Sequence, residues 1–133
     1  MRATRVMARF GAVGFVAVAL AACGGGGSSS GGSSGYKEPT GPPVKTVTIE
    51  AANLFFRPKA LSAPSGILKV VLKNSESGAH TLVFDGVPGF ELQVSGDGDT
   101  DSKKIQLAKG KHVFYCTIPG HREAGMEGTL TTT

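Results

Sequence analysis

Between Val44 and Thr132, apolar residues recur at every second position in short runs, and Gly, Pro, Asp and Ser separate the runs. A period of two puts alternate side chains on opposite faces of an extended chain, the mark of a half-buried β-strand. Val47 and Ile49 share one face of a first run, against Val44, Thr46 and Thr48. In a second run, Leu68, Val70 and Leu72 oppose Ile67, Lys69, Val71 and Lys73. Ile105 and Leu107 share a face in a later one, and 81–84, 111–118 and 128–132 complete the set. No stretch after residue 35 has a long helical period. Short strands with regular turn punctuation predict an all-β sandwich. The segment 53–65, with Pro58 and Pro64, reads as an irregular connection or a bent edge strand.

Residues before this domain have another logic. Met1 to Arg9 is basic, Phe10 to Leu20 is apolar, and Leu20-Ala21-Ala22-Cys23 follows at once. A basic start, a short apolar run and small residues before a cut describe a secretory signal. The apolar run is short for a permanent membrane span. Leu-Ala-Ala-Cys resembles the lipobox of bacterial lipoproteins, which implies cleavage after residue 22 and acylation of Cys23. Several acyl chains hold a protein on a bilayer far better than one, at about 0.8 kcal/mol per buried methylene. Residues 24–35 are almost pure Gly and Ser, and Pro39, Pro42 and Pro43 follow. Such composition predicts a disordered linker over 23–43, with a reach of roughly 25 Å. The division is thus 1–22 signal, 23–43 lipidated cysteine and linker, and 44–133 folded domain.

The chain carries 14 Lys and Arg against 10 Asp and Glu, a net +4. Arg2, Arg5 and Arg9 all precede the first apolar run, and without them the balance is 11 against 10. That leaves no clustered basic surface of the kind nucleic-acid binding needs.

Chemistry concentrates in Tyr115-Cys116-Thr117-Ile118-Pro119-Gly120-His121-Arg122-Glu123-Ala124-Gly125-Met126. Cys116 ends a strand, and His121 and Met126 follow at intervals of five. One loop between two strands therefore presents a thiolate, an imidazole and a thioether. Thiolate with thioether is a soft donor pair that suits copper. Two His, one Cys and a weak axial Met make the blue-copper electron-transfer set. That set requires a second His from elsewhere, and His80, at the start of a strand, is the candidate. His112 lies four residues before Cys116 on the same strand, roughly 13 Å away at about 3.3 Å per residue, so it serves a structural or surface role.

A distant His followed by Cys-x4-His-x4-Met near the C-terminus resembles the cupredoxin family. The spacing is similar to that of rusticyanins and sulfocyanins. Asn53-Leu54-Phe55-Phe56-Arg57-Pro58 and the 66–74 strand also resemble small bacterial cupredoxins. The resemblance covers 44–133. It implies a Greek-key sandwich of about eight strands with one type-1 copper ion near one end. It also implies His80, Cys116 and His121 as equatorial ligands and Met126 as the axial one. By the same resemblance, electrons pass through a hydrophobic docking patch around His121; Val87, Pro88, Gly89 and Phe90 form another apolar loop expected close to it. Thr81 stands where many cupredoxins have Asn, and its hydroxyl can still hydrogen-bond within the site. Tyr115 faces away from Cys116; in plastocyanins a Tyr there marks a second docking area, and a surface hydroxyl is the plainer reading.

Other readings fall short. Asp97, Asp99 and Asp101 alternate, but Ser102 and Ala108 stand where a calcium loop needs Gly and Glu, so this is a solvated turn. Arg122 and Glu123 read as solvent-facing. A binuclear copper centre needs two loop cysteines, and multicopper catalysis needs more than three His. A Cys116–His121 hydrolase lacks an orienting group. The expected function is non-enzymatic: a membrane-tethered monomer carrying electrons between redox proteins of a membrane chain, or to or from an extracytoplasmic reductase or oxidase. Copper delivery, storage or sensing is the alternative, though only Met126 lies outside the signal segment.

Overall fold

The computed structural model describes residues 35–133. The signal segment, Cys23 and the Gly/Ser run through residue 34 lie outside them. Among the described residues nine strands follow one another: β1 (Lys45–Ala52), β2 (Phe55–Arg57), β3 (Ala60–Ala63), β4 (Gly66–Asn74), β5 (His80–Phe84), β6 (Leu92–Val94), β7 (Thr100–Leu107), β8 (Gly110–Tyr115) and β9 (Glu127–Thr132). Sheet I has the order β2-β1-β4-β7, and sheet II the order β3-β9-β8-β5-β6. The chain changes sheets after β2, β3, β4, β6 and β7, which makes the all-β sandwich that the strand pattern predicts. Among the described residues, no helix is long and apolar enough to cross a membrane.

The period-two faces meet in the middle. Val47, Ile49 and Ala51 of β1, Leu68, Val70 and Leu72 of β4, and Ile105 and Leu107 of β7 are buried from sheet I. Leu82 and Phe84 of β5, Phe114 of β8 and Leu130 of β9 close the core from sheet II. Edge-on aromatic contacts cross it, with Phe114 at 5.5 Å from Phe56 and 5.8 Å from Phe84, and Phe84 at 5.5 Å from Phe90. Such pairs add about 0.5–1.5 kcal/mol each beyond their burial.

The 53–65 segment is an edge strand bent between sheets: β2 borders sheet I and β3 borders sheet II. Pro58 sits between them, where no ladder hydrogen bond is needed. Strand β6, three residues long, carries too little alternation to stand out in the sequence. Phe90 corrects an expectation. It is 1% exposed and belongs to the core, so it adds nothing to a surface patch.

The described part of the expected linker is ordered against the domain. Tyr36 packs edge-on against Phe90 at 5.3 Å, and its hydroxyl donates to the Lys104 carbonyl at 2.9 Å. Glu38 accepts from the Lys104 N–H at 2.9 Å, and Lys104 Nζ donates to the Gly41 carbonyl at 3.1 Å. The physical reason is the free edge of sheet I. Strand β7 leaves outward N–H and C=O groups unpaired, and the tail covers them.

Burial, and then Glu38, raise the Tyr36 phenol above its ordinary pKa. The folded chain holds this proton more tightly than the unfolded chain. Docking therefore contributes fully below the ordinary pKa and is lost as pH rises through the raised value. Tyr36→Phe should cost about 0.5–1.5 kcal/mol at neutral pH, one hydrogen bond's worth, and should flatten the alkaline loss of stability. Denaturant melts at pH 7 and above pH 10 test this, and an unchanged alkaline slope in the variant would contradict it.

Candidate metal centre

Strand β8 ends at Tyr115, one residue earlier than the sequence pattern indicates, and Tyr115 pairs with Glu127 of β9. Cys116 and Met126 are thus the next facing positions, at the mouth of the hairpin. Backbone hydrogen bonds tie the loop at its functional residues. The Cys116 N–H donates to the Met126 carbonyl at 3.1 Å, and the Met126 N–H to the His121 carbonyl at 2.9 Å. Gly120 and Gly125, each just before one of these side chains, have φ of 85° and 105°. That left-handed region suits glycine and lets the short loop turn back on itself.

His80 arrives from β5, which pairs with β8 at Val83–Tyr115 and Phe84–Phe114. The loop before it is pinned. Asn74 Nδ2 donates to the Gly78 carbonyl at 2.7 Å, and the Ser75 N–H to the Ala51 carbonyl at 3.0 Å.

The ligand atoms of His80, Cys116 and His121 all lie within 4.8 Å of one another. Cys116 Sγ is 3.6 Å from His121 Nδ1, and the two imidazole centroids are 5.3 Å apart. One ion bonded at about 2.0–2.3 Å to N and S donors asks for separations of this order. His80, Cys116 and Met126 are almost wholly buried, at 2%, 1% and 0% exposure. His121 is half-buried, the most accessible of the four.

The residues fit a metal on a further count. His80 Nε2 is hydrogen-bonded to Glu76 Oε1, whereas His80 Nδ1 is buried without a hydrogen-bond partner among the described residues. A buried, unpaired ring nitrogen costs about 1–3 kcal/mol, and a soft cation held with Cys116 and His121 satisfies it.

Thr81 confirms its expected contact. Its N–H and Oγ1 lie 3.5 and 3.6 Å from Cys116 Sγ, and Oγ1 accepts from the Thr117 N–H at 2.8 Å. His112 is structural, with Nε2 at 2.8 Å from the Ala108 carbonyl and 3.1 Å from Thr132 Oγ1. The acidic turn holds itself: Asp99 and Asp101 carboxylates accept from the Ser95 and Gln93 N–H groups at 3.0 and 2.9 Å.

Arg122 departs from its expected solvent-facing role. Its guanidinium lies 3.8 Å from the Tyr115 ring centroid, and its Nε donates to Glu127 Oε2 at 2.6 Å. That hydrogen bond holds its pKa above the ordinary value. Tyr115 is therefore covered on one face by a cation.

Glu76 went unnoticed in the sequence. The available signal was a carboxylate four residues before His80, with Gly78 between them to leave room.

A model of copper-binding proteins of the plastocyanin/azurin family matches residues 44–133. No curated protein matches the chain in sequence. Among solved structures, auracyanin B is 25% identical with a TM-score of 0.59, covering 72% of this chain and 94% of its own. A dithionite-reduced auracyanin from the photosynthetic bacterium Roseiflexus castenholzii is 22% identical, TM-score 0.59, covering 69% and 99%. Auracyanin A, a "blue" copper protein from the green thermophilic photosynthetic bacterium Chloroflexus aurantiacus, is 19% identical, TM-score 0.53, covering 69% and 100%.

Proposed function

The chain belongs to the plastocyanin/azurin family of copper-binding proteins, and from that premise we propose that it carries single electrons between redox proteins outside the cytoplasmic membrane. His80, Cys116, His121 and Met126 would hold its copper ion, a thiolate and a thioether beside two imidazoles being a soft donor set that suits copper. The observation that supports this most is the cluster of three donors within 4.8 Å, two of them buried, with His80 Nδ1 left without a partner. When bound, copper supplies a one-electron couple between Cu(II) and Cu(I).

The residues do the rest. Cys116, His121 and Met126 sit on one hairpin mouth whose backbone hydrogen bonds link them in pairs. A pinned loop holds His80 against them, so the donors are fixed before any electron moves. Cys116 Sγ is shielded from water and receives the Thr81 N–H at 3.5 Å. Half-buried His121, beside partly buried Ile118 and exposed Pro119 and Gly120, gives a partner its way to the metal. Membrane attachment rests on the sequence alone, through a lipidated Cys23 after Leu20-Ala21-Ala22.

Titration of the protein with Cu(II) should produce an intense visible band that saturates at one equivalent. Ascorbate should bleach it and oxidant restore it over repeated cycles, with a Cu(I) chelator present throughout. Transfer of copper to the chelator on each reduction would overturn the electron-carrier reading in favour of metal delivery.

A further inference from the structure

The side chain four residues before His80 is unusually placed. Glu76 Oε1 contacts His80 Nε2, on the side of the ring away from the unpartnered Nδ1. His80 is 2% exposed and Glu76 30% exposed. Glu76 thus reaches from the solvent boundary to a buried imidazole. Its loop is held on both sides. Asn74 Nδ2 donates to the Gly78 carbonyl, and both the N–H and the hydroxyl of Ser75 donate to the Ala51 carbonyl, at 3.0 and 3.1 Å. Gly78 keeps the space open, since a Cβ there would come within 3.3 Å of Glu76 Oε1 and 3.7 Å of His80 Nε2.

A neutral imidazole has one N–H and one bare nitrogen, and a strong acceptor decides which is which. We propose that Glu76 is a positioning residue for His80: its carboxylate holds the Nε2–H tautomer, so that Nδ1 is presented bare to copper, and its negative charge favours Cu(II) over Cu(I). This inference rests on the copper assignment above. Outer-shell carboxylates orient ligand imidazoles and raise their basicity, and their loss costs about 10–100-fold in metal affinity.

Two variants separate orientation from charge. Glu76→Gln keeps an acceptor oxygen and removes the charge, whereas Glu76→Ala removes both. In metal-free protein, long-range proton–nitrogen NMR reads the His80 tautomer without copper. The wild type and Glu76→Gln should show Nε2–H alone, and Glu76→Ala a mixture. With copper, Glu76→Gln should keep the blue band and lower the ratio of Cu(II) to Cu(I) affinity about tenfold, read as a potential 59 mV higher for one electron. Glu76→Ala should also lose Cu(II) affinity by about 10–100-fold. A wild-type tautomer in Glu76→Ala, or a potential unmoved in Glu76→Gln, would overturn the proposal. A wild-type protein that shows the Nε2–H tautomer yet never turns blue would instead overturn the copper assignment.

Discussion

Cys116→Ser should leave the protein folded and colourless with Cu(II). The intense visible band of such a centre is charge transfer from a thiolate to copper, and a serine hydroxyl has no equivalent transition. The other donors stay in place, because His80, His121 and Met126 are held by backbone hydrogen bonds and by the β5–β8 pairing rather than by Cys116 Sγ. Copper affinity should fall by more than the about 10–100-fold that loss of an outer-shell partner costs. The metal-free variant should lose about 1–3 kcal/mol, since the Thr81 N–H, already 3.5 Å from the larger sulfur, is out of range of the new buried hydroxyl. Absorption spectra of copper-loaded and thermal melts of metal-free protein check both halves. A wild-type band surviving in the variant would remove Cys116 from the site.

A change two residues past the ligand loop should act on the fold itself. Gly128 is buried in β9, opposite Phe114. A Cβ at 128 would fall almost on the Phe114 ring, 2.5 Å from Cε2, and 2.7 Å from the Lys59 carbonyl oxygen. Neither neighbour gives way easily. Phe114 is fully buried between Phe56 and Phe84, and the Lys59 carbonyl already accepts the Thr129 N–H at 2.8 Å. Overpacking a tight core costs about 1–3 kcal/mol and more where backbone blocks relaxation. Gly128→Ala should therefore lower Tm by about 10–20 °C for a domain of this size. Thr131→Ala, exposed on the same strand, should shift it little. Equal melting of the two variants would mean that β9 does not press on Phe114.

The ligand loop was legible because its three donors lie within one short segment, where spacing is geometry. His80 was legible by a count: of three His, one is in the loop and His112 is too far along the strand. The strands of both sheets were visible wherever one face is buried and the other wet, as in β1 and β4. What escaped depends on contacts between segments. Glu76 looks like any loop acid until the 75–79 turn brings it to His80. Arg122 looks like a surface charge until the hairpin sets it over Tyr115. Tyr36 sits in a Gly- and Pro-rich stretch whose composition predicts disorder, and only the open edge of β7 gives it a place to dock.

That docking changes where the molecule can be cut. Strand periodicity and the matched family region both begin at Val44, which makes residue 44 the tempting start for a shortened version. Such a cut would discard Tyr36, Glu38 and Gly41 together, uncovering the Lys104 backbone and one side of Phe90. The bared strand would offer its hydrogen-bonding groups to any other copy in the tube, a recipe for aggregation during purification. The unit to express is therefore longer than the barest sandwich, and its N-terminal boundary belongs before Tyr36.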